Sequence, residues 1–463
     1  MIGKLLALLS FFNSSPLSKG GCLILHQSFI MKKPVFIYLF LILAIHNNMQ
    51  GQDYISSEES NPVKMGWMQG FPPSQDKIVS AIDGSFFKFP ALRYSVCHMR
   101  QFMPTTVVKS ATGKGYNFKV RLDNAIDNIS FLPTNSSKPM TWRESLGKNY
   151  TDGMLILHKG RIVYEQYFGE LTADGLHAAM SVSKTFTGTL GGLLVDEGIL
   201  DENKTGADYV PELKRSAFGD ATIRQILDMT TALKYSEDYS NPKAEIWAFS
   251  AAGNPFPKPQ SYKGPTNYYD YLKTVQKEGT HGELFGYKTV NTDVMGWIVS
   301  KVTGKSIPDL LSERIWKPLG THFDGYFQID GAGIAFAGGG FSANMRDMAM
   351  FGEMVRNKGK FNKKQILPVS LIEDIMRGGS QEAFSKSVYA SLKDWSYRNM
   401  WWHTHNEHGA FAARGVHGQT IYIDPAAEMV IVRFASHPEA KNSKIDPTSL
   451  PAYHAVAKYL ISK

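Results

Sequence analysis

Residues 177–200, HAAMSVSKTFTGTLGGLLVDEGIL, read as a helix with no face left for water. On a wheel of about 100° per residue, Val182, Phe186, Leu190, Leu193 and Leu194 form one stripe. Ser181, Lys184, Gly188, Gly191 and Gly192 lie opposite it. A solvent-facing side would carry charge. Each glycine instead weakens a helix interior by about 1 kcal/mol relative to alanine, so three on one side imply that another backbone presses close. The helix is therefore central, and its Ser/Lys end is expected to open at a seam between structural layers.

A helix buried on both sides needs a large core around it. With 463 residues, 43% of them hydrophobic, the chain can build one as a single big domain or two intimate ones. Its net charge of +8 is spread among acids rather than gathered in a basic stripe, which argues against nucleic acid as a partner. No internal repeat or low-complexity tract interrupts it.

The amino end reads as an address. MKKPVFIYLFLILAI at 31–45 has a basic start and an apolar run from Val35 to Ile45, followed by polar HNNMQGQD. This is a signal-peptide pattern over 31–52, starting at Met31 and cleaved near Gly51, with 1–30 an upstream extension. The run is short for a bilayer span, so no stable membrane anchor is expected, and the location implied is periplasmic or secreted. Cys22 would leave with the leader. Cys97 then remains alone, without an internal disulfide partner.

Ser181 and Lys184 stand at i and i+3, neighbours on a helix, so the amine can reach the hydroxyl. Burial and nearby cations lower a lysine pKa, and a neutral lysine can take a serine proton. A serine in the first turn also gains from the helix dipole, and its own N–H can stabilise an oxyanion. The same Ser-x-x-Lys spacing occurs at Ser74/Lys77, Ser145/Lys148 and Ser240/Lys243. There it falls after Pro72 and Pro73, around Gly147, and around Pro242, and none of these opens a long amphipathic helix. For Ser181 itself the alternative is a helix cap with Lys184 merely solvated.

Downstream, FGYKTVNTDVMGWIVSKVTG at 285–304 sets Tyr287 before a helix, where a phenol beside a lysine can relay a proton to a leaving group. AARGVHGQTIYIDPAAEMVIVRFAS at 412–436 reads as a glycine-rich strand start, a turn and a returning strand. Gly415 and Gly418 let a ligand approach the backbone, and the Gln419 N–H is a candidate second oxyanion donor. WWHTHNEHGA at 401–410 offers a competing reading. His403, His405 and His408, with Glu407, imitate a zinc-hydrolase cluster; the alternative is a loop bordering the pocket, with Tyr397, Trp401 and Trp402 as aromatic contacts. The Gly-x-Ser-x-Gly elbow of α/β-hydrolases does not occur.

Taken in order, GWMQGFPP, MTWRESL, TDGMLILHKGRIVYEQYFG, MSVSKTFTG, ATIRQILDMTTAL, YKTVNTDVMGW, GGGFSANMRDMAMFG and GVHGQTIYIDP resemble the serine β-lactamase and penicillin-binding-protein superfamily. Within it they resemble the esterase and 6-aminohexanoate-dimer hydrolase branch, over about residues 65–460. The resemblance implies an α+β, β-lactamase/transpeptidase-like fold. An antiparallel sheet from the first hairpin (153–168) and the last strands (419–435) would be flanked by helices, with a C-terminal helix near 450–462. The hydrolase domain would span 141–463 with a mostly helical insertion at about 205–395, after a lead-in at 53–140 without an assigned role.

The activity implied is an acyl-enzyme hydrolase of a small ester or amide that needs no cofactor or metal. Ser181 would be the nucleophile, Lys184 its base and Tyr287 the relay, with Ser181 and Gln419 as oxyanion donors. Tyr239, His417, Gly418 and Trp401 would face the substrate. A superfamily relative that keeps the fold without catalysis would be a binding or sensor protein, but such relatives usually lose Ser, Lys or Tyr. Two departures stand out. Thr289 occupies the place of the asparagine in Tyr-x-Asn, with Asn291 the nearest amide. Val416, His417 and Gly418 replace Lys-Thr-Gly and so remove the cation that grips a β-lactam carboxylate.

Overall fold

The main sheet is organised by a turn at Lys159–Gly160, both in the left-handed region with φ of 50° and 71°. That pair is what a two-residue type I′ hairpin demands. The computed structural model describes residues 54–392 and 394–463. The expected extension (1–30) and signal peptide (31–52) lie outside the described residues.

Among the described residues the sheet has eight strands: β1 Lys119–Val120, β2 Thr151–His158, β3 Arg161–Tyr167, β4 Ser396–Arg398, β5 Trp401–His403, β6 Phe411–Arg414, β7 Thr420–Asp424 and β8 Met429–Ala435. Their order is β4-β5-β6-β7-β8-β2-β3-β1. Neighbours are antiparallel except at one edge, where β1 runs parallel to β3. The two ends of the domain meet in the middle, with Ile156 opposite Ile431 and Leu155 opposite Val432. The sheet is wider than the expected hairpin plus last strands. Trp401–His403 and Phe411–Arg414 are strands of it, and the segment between them is a hairpin connection rather than a free loop.

Alternate residues of β2 feed two cores. Leu155 and Leu157 pack with Phe186 and Leu190 of helix α1 (Val182–Asp196) and with Met348 and Phe351. Met154 and Ile156 face the other way, against Trp142, Tyr453, Val456 and Leu460. A strand buried on both faces belongs to a sheet covered on both sides. On the first side, helices α2 (Val290–Thr303) and α3 (Met345–Arg356) join α1; on the second lies the C-terminal helix α4 (Asp446–Ile461).

Residues 182–194 of α1 are all buried. Its glycine side receives three close neighbours, as the position of a Cβ on each glycine shows. At Gly188 it would fall 2.5 Å from the Asn399 carbonyl oxygen, at Gly191 2.9 Å from Met295 Sδ of α2, and at Gly192 2.8 Å from Leu371 Cδ1.

A second sheet gives the lead-in a place. Thr105–Val108 pairs with Gly325–Gln328, which pairs with Phe341–Ala343, which pairs with His177–Ala178. The last two segments flank Gly338 and Ser181 in the chain. Beneath this sheet, Arg93 donates to Asp152 (3.0 Å), and the other Asp152 oxygen lies 3.3 Å from His177 Nε2. All three are at most 3% exposed. The Arg93 guanidinium also reaches Ser436 Oγ (3.1 Å), Ser60 Oγ (3.0 Å) and the Ser57 carbonyl.

Candidate active site

Ser181 lies just ahead of α1 with φ −69° and ψ −5°, already helical, and its hydroxyl makes no capping bond. The cap reading fails, and the hydroxyl is free for other work. Met180, the residue before it, is held at φ 48°, an uncommon conformation for a side-chain-bearing residue and a local strain of the kind that clusters at functional sites. One turn on, Lys184 is 1% exposed. Its Nζ donates to Ser181 Oγ (3.0 Å) and to the Gly338 carbonyl (2.5 Å). Burial pulls its pKa down from the ordinary lysine range, while the carboxylates of Glu237 and Asp293 hold it up.

The ring centroid of Tyr287 is 5.1 Å from Lys184 Nζ. The ring packs against Trp402 (5.2 Å between centroids) and Tyr397 (6.1 Å). Burial raises its phenol well above the usual value, with the Ser181 hydroxyl and Arg414 pulling the other way, so it stays protonated at neutral pH. Ser181, Lys184 and Tyr287 therefore converge. Tyr239 stands half-buried nearby, packed on Trp247 at 5.9 Å.

The backbone of 415–419 runs beside Ser181. Gly415 is extended (φ −133°, ψ 156°), and its N–H donates to the Gln419 carbonyl (2.9 Å). A Cβ on Gly415 would fall 3.0 Å from the Ser181 nitrogen and 2.9 Å from the Ala179 carbonyl, so the chain passes Ser181 here. Successive N–H groups of an extended chain point opposite ways. The Val416 N–H therefore turns to the side away from β7. Gln419 sits one strand further in, fully buried, its side chain bonded to both the N–H (3.0 Å) and the carbonyl (2.5 Å) of Ala435. The backbone that passes Ser181 is thus that of Gly415, with Val416 next in the chain.

Three residues expected to face the substrate are turned elsewhere. Trp401 is fully buried, with its ring against Phe351 (6.0 Å) and Phe411 (5.3 Å); strand alternation sends it into the core and leaves Trp402 beside Tyr287. His417, at φ 61°, has its Nδ1 2.7 Å from the His437 carbonyl and is pulled down to about 4 by burial, so it is a neutral fastener of the 437–440 segment. Gly418 is required at φ 100°, with its Cα face turned to Ala435 and Ile445.

The histidine cluster does not form. His403 is buried with its ring on Phe411 (5.4 Å), and burial drops it to about 3. His405 Nε2 bonds Ser396 Oγ (2.7 Å), and His408 Nδ1 bonds Asp424 (2.8 Å). A different trio converges among the described residues: Glu407, His408 and His454, with ligand atoms within 4.8 Å of one another. Its members already satisfy each other and Asp424, since His454 lies 3.2 Å from Glu407.

Asn291 does not replace the missing amide beside the lysine. It accepts from the Thr231 hydroxyl (2.6 Å), donates to the Lys288 carbonyl (3.1 Å) and is fully buried. The Thr289 N–H donates to the Glu237 carboxylate, which caps the start of α2. Glu237, Asp293 and Gly338 are the residues around Lys184 that sequence reasoning missed. Only Asp293, a lone acid on an otherwise apolar helix face, offered a signal.

This chain belongs to the Beta-lactamase family, whose model matches residues 147–450. It is a β-lactamase-fold serine hydrolase. The 6-aminohexanoate-dimer hydrolase of Paenarthrobacter ureafaciens is 34% identical to it over 357 residues, 77% of this chain and 88% of that one. A solved Bacillus anthracis structure assigned to the 6-aminohexanoate-dimer hydrolases superposes with a TM-score of 0.76 at 34% identity, covering 84% of this chain and 99% of that one. The octameric penicillin-binding-protein homologue of Pyrococcus abyssi shares the fold, with a TM-score of 0.52 at 19% identity over 69% of this chain and 75% of its own.

Proposed function

We propose that the protein hydrolyses a small ester or linear amide through an acyl-enzyme on Ser181. The observation that carries this reading is the 3.0 Å contact between the buried Lys184 Nζ and an uncapped Ser181 hydroxyl. Neutral Lys184 takes the hydroxyl proton as Oγ attacks the carbonyl carbon, and the oxyanion sits between the N–H groups of Ser181 and Val416. The proton then passes from Lys184 through Tyr287 to the departing alcohol or amine as the bond breaks, which leaves the lysine amine neutral again. Water then repeats the sequence on the acyl-enzyme and frees the acid.

The wall of Tyr287, Tyr397 and Trp402 suits an apolar acyl chain. Val416 supplies no cation for a β-lactam carboxylate, and the nearby Arg414 is engaged by Asp446. The names of the 34% identical relatives favour a linear amide or a related ester. The basic start and apolar run at 31–45 support export to the periplasm or medium.

A fluorophosphonate should label Ser181, and Ser181→Ala should lose both labelling and turnover. Turnover that survives this substitution, or that a chelator removes, would overturn the assignment. A panel of p-nitrophenyl esters, aminohexanoate oligomers, D-peptides and a chromogenic cephalosporin ranks the substrates, with the cephalosporin expected last.

A further inference from the structure

A cavity of about 330 Å³ runs along α2, lined by Asp293, Gly296 and Ser300 and, towards solvent, by Lys305, Ser306 and Ala335. Asp293 is its buried end, 2% exposed. One carboxylate oxygen accepts the Gly338 N–H at 3.3 Å, whereas the other, Oδ2, is buried without a partner. A buried carboxylate left half satisfied is expensive, so its presence calls for a role.

Gly338 connects it to the chemistry. This residue gives its N–H to Asp293 and its carbonyl to Lys184, and it must be glycine. A Cβ there would fall 2.5 Å from Thr289 Cγ2 and 2.8 Å from Asp293 Oδ2. The aspartate therefore seats the carbonyl that aims the lysine. Once ionised it also acts on the lysine as a charge, burial holding its own carboxyl up at about 7.

The charged and titratable groups around the pair come from every neighbouring element. Glu237 approaches from the 236–241 loop and Tyr287 from the start of α2, while Tyr268, Tyr269 and Tyr235 stand on the Asp293 side. Of these only Glu237 and Asp293 place negative charge on Lys184. Resting on the acyl-enzyme reading above, we propose that Asp293 is a positioning residue for Lys184: it seats Gly338 beneath the amine, and its charge sets how readily the amine gives up its proton.

A carboxylate near an ammonium favours the charged amine, so removing it lets burial lower the lysine's proton affinity further. In Asp293→Asn, whose amide oxygen can still accept the Gly338 N–H, the acid limb of the kcat/KM profile should move to lower pH by about one unit. Glu237→Gln should move it the same way. Asp293→Ser, small enough for the cavity to fill with water, gives the same shift if the asparagine variant folds poorly.

An aspartate that served packing alone would lower kcat equally at every pH with the limb in place, and that result overturns the proposal. Ser181→Ala separates the two levels of argument. If it abolishes turnover while Asp293→Asn leaves the limb where it was, the inference falls and the acyl-enzyme stands. If Ser181→Ala keeps turnover, the acyl-enzyme falls, and the Asp293 assignment falls with it.

Discussion

Gly188→Ala isolates the packing that makes α1 possible. In an exposed helix this change would add about 1 kcal/mol of stability. Here the new Cβ would stand 2.5 Å from the Asn399 carbonyl oxygen and 2.7 Å from Met400 Cβ, inside contact distance of both. Asn399 cannot step aside easily. Its N–H is held by Asp228 (3.1 Å), its side-chain oxygen by Arg224 (2.8 Å) and its amide nitrogen by Asp374 (2.7 Å). Overpacking against a fixed backbone typically costs 1–3 kcal/mol, and the upper part of that range applies, so after the propensity gain the variant should be destabilised by about 2 kcal/mol. For a chain of this length that is a melting shift of about 2 °C, read by differential scanning calorimetry alongside urea titration. Gly192→Ala is the control, because its new methyl crowds only the movable Leu371 Cδ1 (2.8 Å) and stands at ordinary contact distance, 3.5 Å, from Asn399 Oδ1. A Gly188→Ala protein as stable as the wild type, or more stable than Gly192→Ala, would refute the argument.

Three further outcomes follow from the site. Tyr287→Phe keeps the ring contacts with Trp402 and removes the relay, so hydrolysis of amides should fall by about 10²- to 10⁴-fold while p-nitrophenyl esters, whose leaving group hardly needs a proton, lose little; equal losses would make Tyr287 structural. A crystal structure of the phosphonylated enzyme should show the phosphoryl oxygen within hydrogen-bond distance of the Ser181 and Val416 nitrogens, and contact with the Gln419 nitrogen instead would restore the sequence-based expectation. Burial holds His403 at about 3 and His417 and His437 at about 4. The unfolded chain takes up protons below about pH 6.5 that the native state refuses, so stability present above that pH should decline from there towards pH 4. Melting at a series of pH values checks this, and His403→Phe should flatten the slope.

The sequence carried the chemistry of the centre further than its periphery, for a physical reason. Ser181, Lys184 and the glycine side of α1 are joined by helical spacing, and a fixed geometric repeat can be read from one chain. Tyr287 was visible through motif order. Trp401 and the histidines failed because their roles depend on strand alternation and on which neighbour lies across the sheet. A shift of one residue moves a side chain from pocket to core, as Trp401 and Trp402 show. Glu237 and Gly338 reach Lys184 only through tertiary folding, from positions 53 and 154 residues away in the chain, and no local pattern announces them.

The clasp around Arg93 changes how the lead-in should be regarded. Its guanidinium is shared among Asp152 on the central hairpin, Ser436 after β8, and Ser57 and Ser60 near the start of the described chain, while the Tyr150 hydroxyl reaches back to the Ile55 carbonyl (2.8 Å). His177, on the same aspartate, stacks on Phe434 and leads four residues later to Ser181. The front end is thus stitched into the body rather than hung from it. A recombinant version trimmed past Ser60 would strip partners from a buried cation and loosen the strand that delivers the nucleophile, so any useful truncation has to stop before Ile55.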